Sequence, residues 1–391
     1  MGTRMGTRMD AQVIVVGGGP VGSVLAMLLG RSGIRTMVLE KSSFPRDKPC
    51  GEGLMPGGVA VLEQLGIDLA GDGFPALAGI TYRTNDGHST FGAFRSRPGL
   101  PGHGFGVRRV RFDALLAQRA AVSPNVEVRS GYAVHAIERA GDGFRIETAH
   151  GRLVAGQVVG ADGLGSTTRR LLGWSKPPAR PYRHALVGHL AVQRHRVGGV
   201  IVTLLPANEV YVAPSGPDEL LAVAMGPPGS LRSPGLSVQD TYRNLVAAAH
   251  PELSGAEQTR IRGAGPFRVS SRTVAERGAF LVGDAAGFID PITGDAMSAG
   301  FRAAAFLAGL LAAEVPAAEA RYRRWYAAQW RTRRLVTAIA LGLTGSPWLA
   351  RRALAGFARH PEALESLLEV NSGSRRLTSM PLRTWSALAG I

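Results

Sequence analysis

Three glycines, Gly17, Gly19 and Gly22, stand in the order Gly-x-Gly-x-x-Gly, and an acidic residue, Glu40, follows eighteen positions after the last of them. The first glycine permits a tight turn, the second lets backbone approach a pyrophosphate, and the third lets helix and strand pack closely. A dinucleotide diphosphate would rest on the free N–H groups and the positive dipole end of the helix these glycines open. Glu40 would accept hydrogen bonds from the adenosine ribose hydroxyls. Two further acidic turns, Asp162-Gly163 and Gly283-Asp284, each follow a short apolar run. Taken singly, the first reads equally as a plain turn and the second as a helix N-cap. The single cysteine, Cys50, rules out an intramolecular disulfide and a cysteine-clustered metal site. His184, His189 and His195 fall in expected strands at spacings that match no helical metal pair, so no metal site is expected.

The elements that must carry these groups are legible from periodicity. Gln12 to Val16 is a buried strand, a helix follows with apolar positions Val21, Leu25, Leu28 and Leu29, and Thr36 to Leu39 is the next strand. This is a βαβ unit. A Gly- and Pro-rich stretch from Phe44 to Gly58 leads into a helix over Val59–Leu65 with Gly66 as its cap, and Phe112–Ala121 has the apolar spacing of an amphipathic helix. Val126 to Ile146 alternates like strands with a break at Gly141–Gly143, and Val158–Gly160 reads as the end of a buried strand. Between about Pro177 and Gly265 the pattern is alternating strands, including Ile201–Leu205, Glu209–Val212 and Leu220–Ala224, which predicts an antiparallel sheet. Ala279–Val282 returns to the buried-strand type, an Ala-rich helix covers about Ser298–Ala313, and the chain is helical from Ala317.

Three segments occur in this order after the glycine motif: Arg109-x-x-Phe112-Asp113, Ala161-Asp162-Gly163-x-x-Ser166-x-x-Arg169, and Gly283-Asp284-Ala285-Ala286-Gly287. Together they resemble the FAD-binding set of the para-hydroxybenzoate hydroxylase-like flavoprotein superfamily, over most of residues 12–310. The resemblance implies FAD as cofactor. It implies that Asp284 bonds the ribityl chain, that Arg109 lies along the ribityl–diphosphate region, and that Asp162 and Gly163 hold the diphosphate region through backbone and Arg169. Lys41, beside Glu40, joins the expected cofactor-binding residues. The implied fold is α/β: a glutathione-reductase-type Rossmann FAD domain, an antiparallel substrate sheet and a helical C-terminal region.

Two loops narrow the resemblance. Pro45–Gly53 is similar to the Pro-Cys-Gly loop of geranylgeranyl reductases and to the matching loop in relatives of flavin-dependent halogenases, and Pro291-x-x-Gly294-Asp295-Ala296 resembles their PxxGxG turn with Ala296 in place of the last glycine. In those families both loops lie beside the flavin ring, which implies that Cys50 and Glu52 are flavin-proximal; Tyr211–Pro214 with Gly216 partly matches the strand that prenyl reductases place near the flavin, lacking its tryptophan, which implies the same for Tyr211. Pro291, Gly294, Asp295 and Ala296 then belong to the cofactor site, with helix amides aimed at the flavin. Cys50 touches substrate or simply fills a turn; Glu52 is an acid or base near the ring or a solvated loop residue. Halogenation is disfavoured, because no lysine lies between Lys48 and Lys176 and Tyr211–Pro214 carries no tryptophan. The expected function is an FAD-dependent monooxygenase that takes electrons from NADPH or NADH and acts with O2 on a largely apolar, natural-product-like small molecule. The alternative is a geranylgeranyl-reductase-like double-bond reductase; a non-catalytic flavin-binding protein is a lesser one. A separate flavin reductase or ferredoxin is a conceivable electron donor.

Composition bounds the rest. With 391 residues, a second domain or a large insertion is expected. The predicted divisions are an FAD-binding part over 9–80, a substrate-domain excursion over 81–105, FAD-binding parts over 106–176 and 267–335, a substrate sheet over 177–266, and a helical region over 336–391. The formal net charge of +16 is almost wholly arginine, and no nucleic-acid-binding signature accompanies it, so nucleic acid is excluded as a partner. Arg321, Arg323, Arg324, Arg331, Arg333 and Arg334 interleave with Tyr322, Trp325, Tyr326 and Trp330. That helix reads as aromatics packed on the FAD domain with solvated arginines, in preference to a membrane-binding face. The start Met1–Arg8 is a tandem repeat without the features of a signal peptide, so a cytoplasmic enzyme is expected.

Overall fold

Near-continuous apolar strands need cover on both faces, and parallel pairing with helical crossovers supplies it. The computed structural model describes residues 9–177 and 182–388, so the Met1–Arg8 repeat lies outside the described residues. Ala11–Val16 pairs in parallel with Thr36–Glu40 on one side and with Gly151–Gly160 on the other. Val126–Ser130 extends the sheet beyond Thr36–Glu40, and Ala279–Leu281 extends it beyond Gly151–Gly160, both in parallel. The register aligns Val16 with Leu39 and Gly160, and Gly160 with Leu281. The loops after four strands therefore leave the same carboxyl edge side by side. They are the Gly17–Gly22 turn, Glu40-Lys41, Ala161–Gly163 and Gly283-Asp284, and a crevice at such an edge is where open α/β sheets bind ligands.

Close contact at this edge depends on missing side chains. Gly17 has φ of +105°, and a Cβ on it would lie 2.7 Å from the Ala161 carbonyl; a Cβ on Gly22 would lie 1.9 Å from the Gly17 oxygen. The helix Pro20–Arg31 can start only because both positions are bare. It packs against the helices Arg109–Ala121 and Ala296–Ala312. Its buried face, with Val24, Leu25 and Leu29, joins the large core that contains all the parallel strands.

The second sheet runs in the order Arg262–Ala264, His184–Ala191, Glu219–Gly226, Glu209–Gly216, Val200–Leu204, Gly79–Thr84, Ser89–Ala93. It departs from the expected antiparallel sheet in one pair, since Val200–Leu204 runs parallel to Gly79–Thr84. The long excursion through the first sheet between these strands provides the crossover that parallel pairing requires. The region expected to be strands also contains a helix, Val238–Ala249, capped by the Ser237 hydroxyl accepting from the Asp240 amide. It covers one face of the sheet, where Tyr242 is buried and donates its hydroxyl to the Ala222 carbonyl at 3.0 Å. His195 lies in the turn after the strand His184–Ala191 rather than in a strand.

The helix Ala318–Thr344 crosses the division expected at 335 without a break. Its aromatics face inward: Trp325 stacks on Phe306 with centroids 4.6 Å apart, and the buried Tyr322 donates to the Leu281 carbonyl at 2.9 Å. Arg321, Arg323, Arg324, Arg331 and Arg334 are exposed. The helices Pro347–Arg359 and Pro361–Asn371 follow and pack on the edge of the second sheet formed by Gly79–Thr84 and Ser89–Ala93, and Leu382–Leu388 packs on these two helices. Among the described residues no helix is long and apolar enough to cross a membrane.

Gly22→Ala places a methyl group inside contact distance of the Gly17 carbonyl. Unfolding free energy is expected to fall by about 1–3 kcal/mol, read by urea denaturation.

Candidate active site

Two cavities share a border at the carboxyl edge of the parallel strands. The first is a groove of about 650 Å³ that runs along the Gly17–Gly22 turn, past Glu40, Lys41 and Arg46, to Asp162, Gly163 and Asp284. That volume lies within the ~300–1,000 Å³ typical of cofactor and ligand sites. The second is a chamber of about 360 Å³ between the loop Lys48–Gly53, the turn Pro291–Gly294 and the inner face of the second sheet. Lys48, Arg109, Asp284, Ala296 and Met297 line both spaces.

Polar groups in the groove are held at fixed positions with capacity left over. The buried Glu40 carboxylate accepts on Oε2 from the Gly18 amide at 2.9 Å and from Arg46 Nη2 at 3.4 Å, and on Oε1 from the Ser42 amide at 3.0 Å. Oε1 retains acceptor capacity. Asp113, fully buried, takes a bidentate bond from Arg109 at 2.6 and 2.8 Å and an ion pair from Arg46 at 3.3 Å. One carboxylate thus braces two guanidinium groups, and the Arg46 Nε remains buried without a partner. Asp162 is turned onto its own chain, accepting from the Ser166 hydroxyl at 2.5 Å and from the Thr168 amide at 2.8 Å. Arg169 clamps the backbone behind the groove by donating to the Leu164 and Ala285 carbonyls.

At the border, a Cβ on Gly163 would lie 2.7 Å from the Lys48 ammonium, so the glycine turn makes room for that side chain. Burial and then Arg109 lower the Lys48 pKa below its usual value, against the pull of Asp284. Burial raises the Asp284 carboxyl, opposed by Lys48. Arg109 is held charged: burial acts against it, but the neighbouring Cys50 and Asp113 more than offset this.

Chamber walls are mostly apolar, from Val187, Val200, Val223, Met225 and Phe267 on the sheet to Ile292 and Phe288 opposite. Cys50 is a free thiol on this wall. Tyr211 is half-buried there with its hydroxyl enclosed and unpartnered. Burial raises both tyrosines of the chamber, Tyr82 to about 12 and Tyr211 well above its ordinary value, against the opposing charge of Arg183.

Glu52 is not the solvated loop residue of one sequence reading. It is 2% exposed and sits at φ of +52°. Its Oε1 accepts from the Arg109 amide at 2.9 Å, and its Oε2 bonds His189 Nε2 at 2.9 Å. The histidine set aside as an unlikely metal ligand therefore ties the second sheet to the loop at the chamber floor. Asp295 also departs from its expected place: it is 1% exposed, pairs with Arg302 at 2.8 Å and lines neither cavity. Gly22 and Gly283 shape the turns without lining either space.

The groove and its polar groups fit FAD: a carboxylate for ribose, a glycine turn at a helix start with the Arg46 guanidinium beside it for diphosphate, and an acidic turn beside a chamber that can receive a ring. The FAD binding domain family matches residues 10–333. The chain belongs to this family. Relatives within reach of it include a rifampicin monooxygenase of Streptomyces venezuelae, 29% identical over 78% of this chain and 64% of the relative. A menaquinone reductase of Mycolicibacterium smegmatis is 28% identical over 80% of this chain and 77% of the relative. Three Streptomyces relatives are longer proteins, of which this chain spans 66%, 36% and 64%. A solved flavoprotein/dehydrogenase from Cytophaga hutchinsonii shares the fold, with a TM-score of 0.83 at 21% identity over 97% of this chain and 96% of that one.

Sequence reading did not single out Arg46 and Lys48, which line the groove, or Asp113, which braces Arg46 and Arg109, although each lies in a segment that drew attention. The Arg109–Asp113 spacing of four on a helix start is a recognised pairing distance.

Glu52→Ala leaves His189 and the Arg109 amide without their acceptor, and a loss of about 3 kcal/mol is expected in chemical denaturation. The tyrosine shifts fix a pH window. Stability from neutral Tyr82 is complete below pH 10.0, its ordinary pKa, and is lost as pH rises through about 12. Denaturation midpoints should accordingly fall across that range while tyrosinate absorbance lags behind that of free tyrosine.

Proposed function

We propose that the protein is an FAD-dependent monooxygenase that oxidises a largely apolar small molecule, with NADPH or NADH as electron donor. The observation that carries this reading is the shared border: an apolar chamber of about 360 Å³ opens directly onto the cofactor groove. Bound FAD supplies the redox chemistry, taking up electrons and using O2 to deliver one oxygen atom to substrate. The chain's own residues hold and enclose. Glu40 and the Gly17–Gly22 turn would anchor the adenosine and diphosphate end, and Arg46, held by Asp113 and Glu40, would meet the diphosphate from the groove wall. Arg109 and Lys48 line the border and would set their charge against the negative charge a bound cofactor gains on reduction. The aliphatic walls exclude water from the reacting atoms. Tyr211 and Tyr82 stay neutral at physiological pH and so present hydroxyl donors rather than phenolates. Cys50 and Glu52 carry no proton-transfer duty here: the thiol is a wall residue, and the Glu52 carboxylate is occupied by His189 and the Arg109 amide.

A second reading, double-bond reduction, is favoured by the menaquinone reductase relative and the Pro-Cys-Gly loop. The two separate in one experiment. The FAD-loaded protein is reduced anaerobically with NADPH, NADH or dithionite, and oxygen is then admitted. Rapid bleaching by a nicotinamide followed by oxygen-dependent recovery of the flavin bands supports the monooxygenase. Bleaching by dithionite alone, with substrate reoxidising the flavin without oxygen, supports the reductase. Glu40→Ala is expected to weaken FAD binding about 10- to 100-fold, measured by flavin fluorescence on dilution.

A further inference from the structure

Beyond the chamber lies a second, smaller cavity of about 100 Å³. Tyr82, Val202, Ile292 and Thr293 line both, so the two spaces face each other across a single layer of side chains. The far walls of the slot come from the three long C-terminal helices. Ile339 and Leu343 stand on the first, Ala353 and Phe357 on the second, and Leu364 and Leu367 on the third. Asn371, at the end of the third helix, donates to the Thr293 carbonyl at 2.8 Å and fixes the helices to the turn that floors the chamber.

An empty apolar void forfeits dispersion contacts on every wall and weakens the fold that keeps it. This one sits in line with the chamber and is lined almost wholly by aliphatic side chains. The partition contains one group suited to a boundary. Tyr82 is half-buried, and its hydroxyl has no hydrogen-bond partner among the described residues.

We propose that the slot is a substrate subsite for an apolar chain, so that the substrate is elongated: its reacting end occupies the chamber and its hydrocarbon tail passes Tyr82 into the space between the helices. This rests on the chamber being the substrate site of the proposed function. Tyr82 then acts as a specificity-determining residue, setting how much tail is admitted and offering its hydroxyl to a polar atom at the junction.

A series of para-alkylphenols, from para-ethyl to para-nonyl, tests the subsite on the FAD-loaded protein. Binding is followed by the perturbation of the flavin spectrum, independently of turnover. Affinity is expected to rise about fourfold for each methylene that enters the slot and then to level off. Leu367→Trp fills the slot, and the milder Ala340→Leu narrows it should the larger change impair folding. Both should flatten the dependence on chain length, whereas Tyr82→Ala should delay its levelling to longer chains. Affinity that does not depend on chain length, or that rises equally in the filled variants, overturns the proposal. Oxygen consumption measured on the same samples separates the two claims. Turnover without a chain-length effect removes the subsite and leaves the monooxygenase standing. A chain-length effect that the variants abolish, without oxygen consumption, keeps the subsite and removes the monooxygenase.

Discussion

The buried Glu52 carboxylate joins the two halves of the molecule at the chamber, beside the Arg108–Glu219 and Asp47–Arg262 ion pairs. It sits in a loop of the FAD-binding half, takes the amide at the start of the helix Arg109–Ala121 on one oxygen, and takes a histidine of the second sheet on the other. A carboxylate with so little exposure to water persists only while each partner stays in place. The loop Lys48–Gly53 is thereby pinned along the chamber, with Lys48 at the border between groove and chamber and Cys50 on the chamber wall. The same helix start positions Arg109, whose guanidinium is held by Asp113, and Asp113 in turn steadies Arg46 across the groove. One chain of charge-assisted bonds thus runs from the diphosphate end of the groove to the substrate sheet.

The positive charge of the chain looks different once these pairs are known. Arg46, Arg108, Arg109, Arg183 and Arg302 are each paired with buried or half-buried carboxylates. They serve internal architecture, and Arg46 and Arg109 also line the groove. The exposed arginines of the helix Ala318–Thr344 form the outer face of an element whose aromatics pack inward, as an amphipathic helix does.

The parallel strands and the glycine turn were legible because their signals are local: an apolar run, then bare positions where backbone must approach backbone. Glu40, Asp162 and Asp284 could be placed because each follows such a strand at once. The Glu52–His189 bond was not legible, since its partners lie 137 residues apart and neither has a pattern around it. For the same reason the parallel pairing of Val200–Leu204 with Gly79–Thr84 escaped, because strand direction is decided by the path of the intervening chain. The helix Val238–Ala249 did leave a mark, the Ser237 and Asp240 spacing of a helix start, which the surrounding strand-like alternation obscured. Asp295 shows the converse: a residue in a persuasive motif position whose side chain pairs with Arg302, two turns along the same helix face.

The parallel pair in the second sheet also sets an order of assembly. Thr203, which accepts a bond from Arg83, is made 120 residues after it. Until then Gly79–Thr84 has Ser89–Ala93 as its sheet partner, and an isolated two-stranded hairpin is marginal in water. By contrast, the first three parallel strands, Ala11–Val16, Thr36–Glu40 and Val126–Ser130, are complete well before Val200–Leu204 emerges. The second sheet is completed at Arg262–Ala264, before Ala279–Leu281 and the Gly283-Asp284 turn join the first sheet, and until Val200–Leu204 emerges Gly79–Thr84 waits as part of a hairpin. During that interval the nascent chain presents an open strand edge to its surroundings, and the growing protein depends most on the speed of its own elongation and on cellular protection against aggregation.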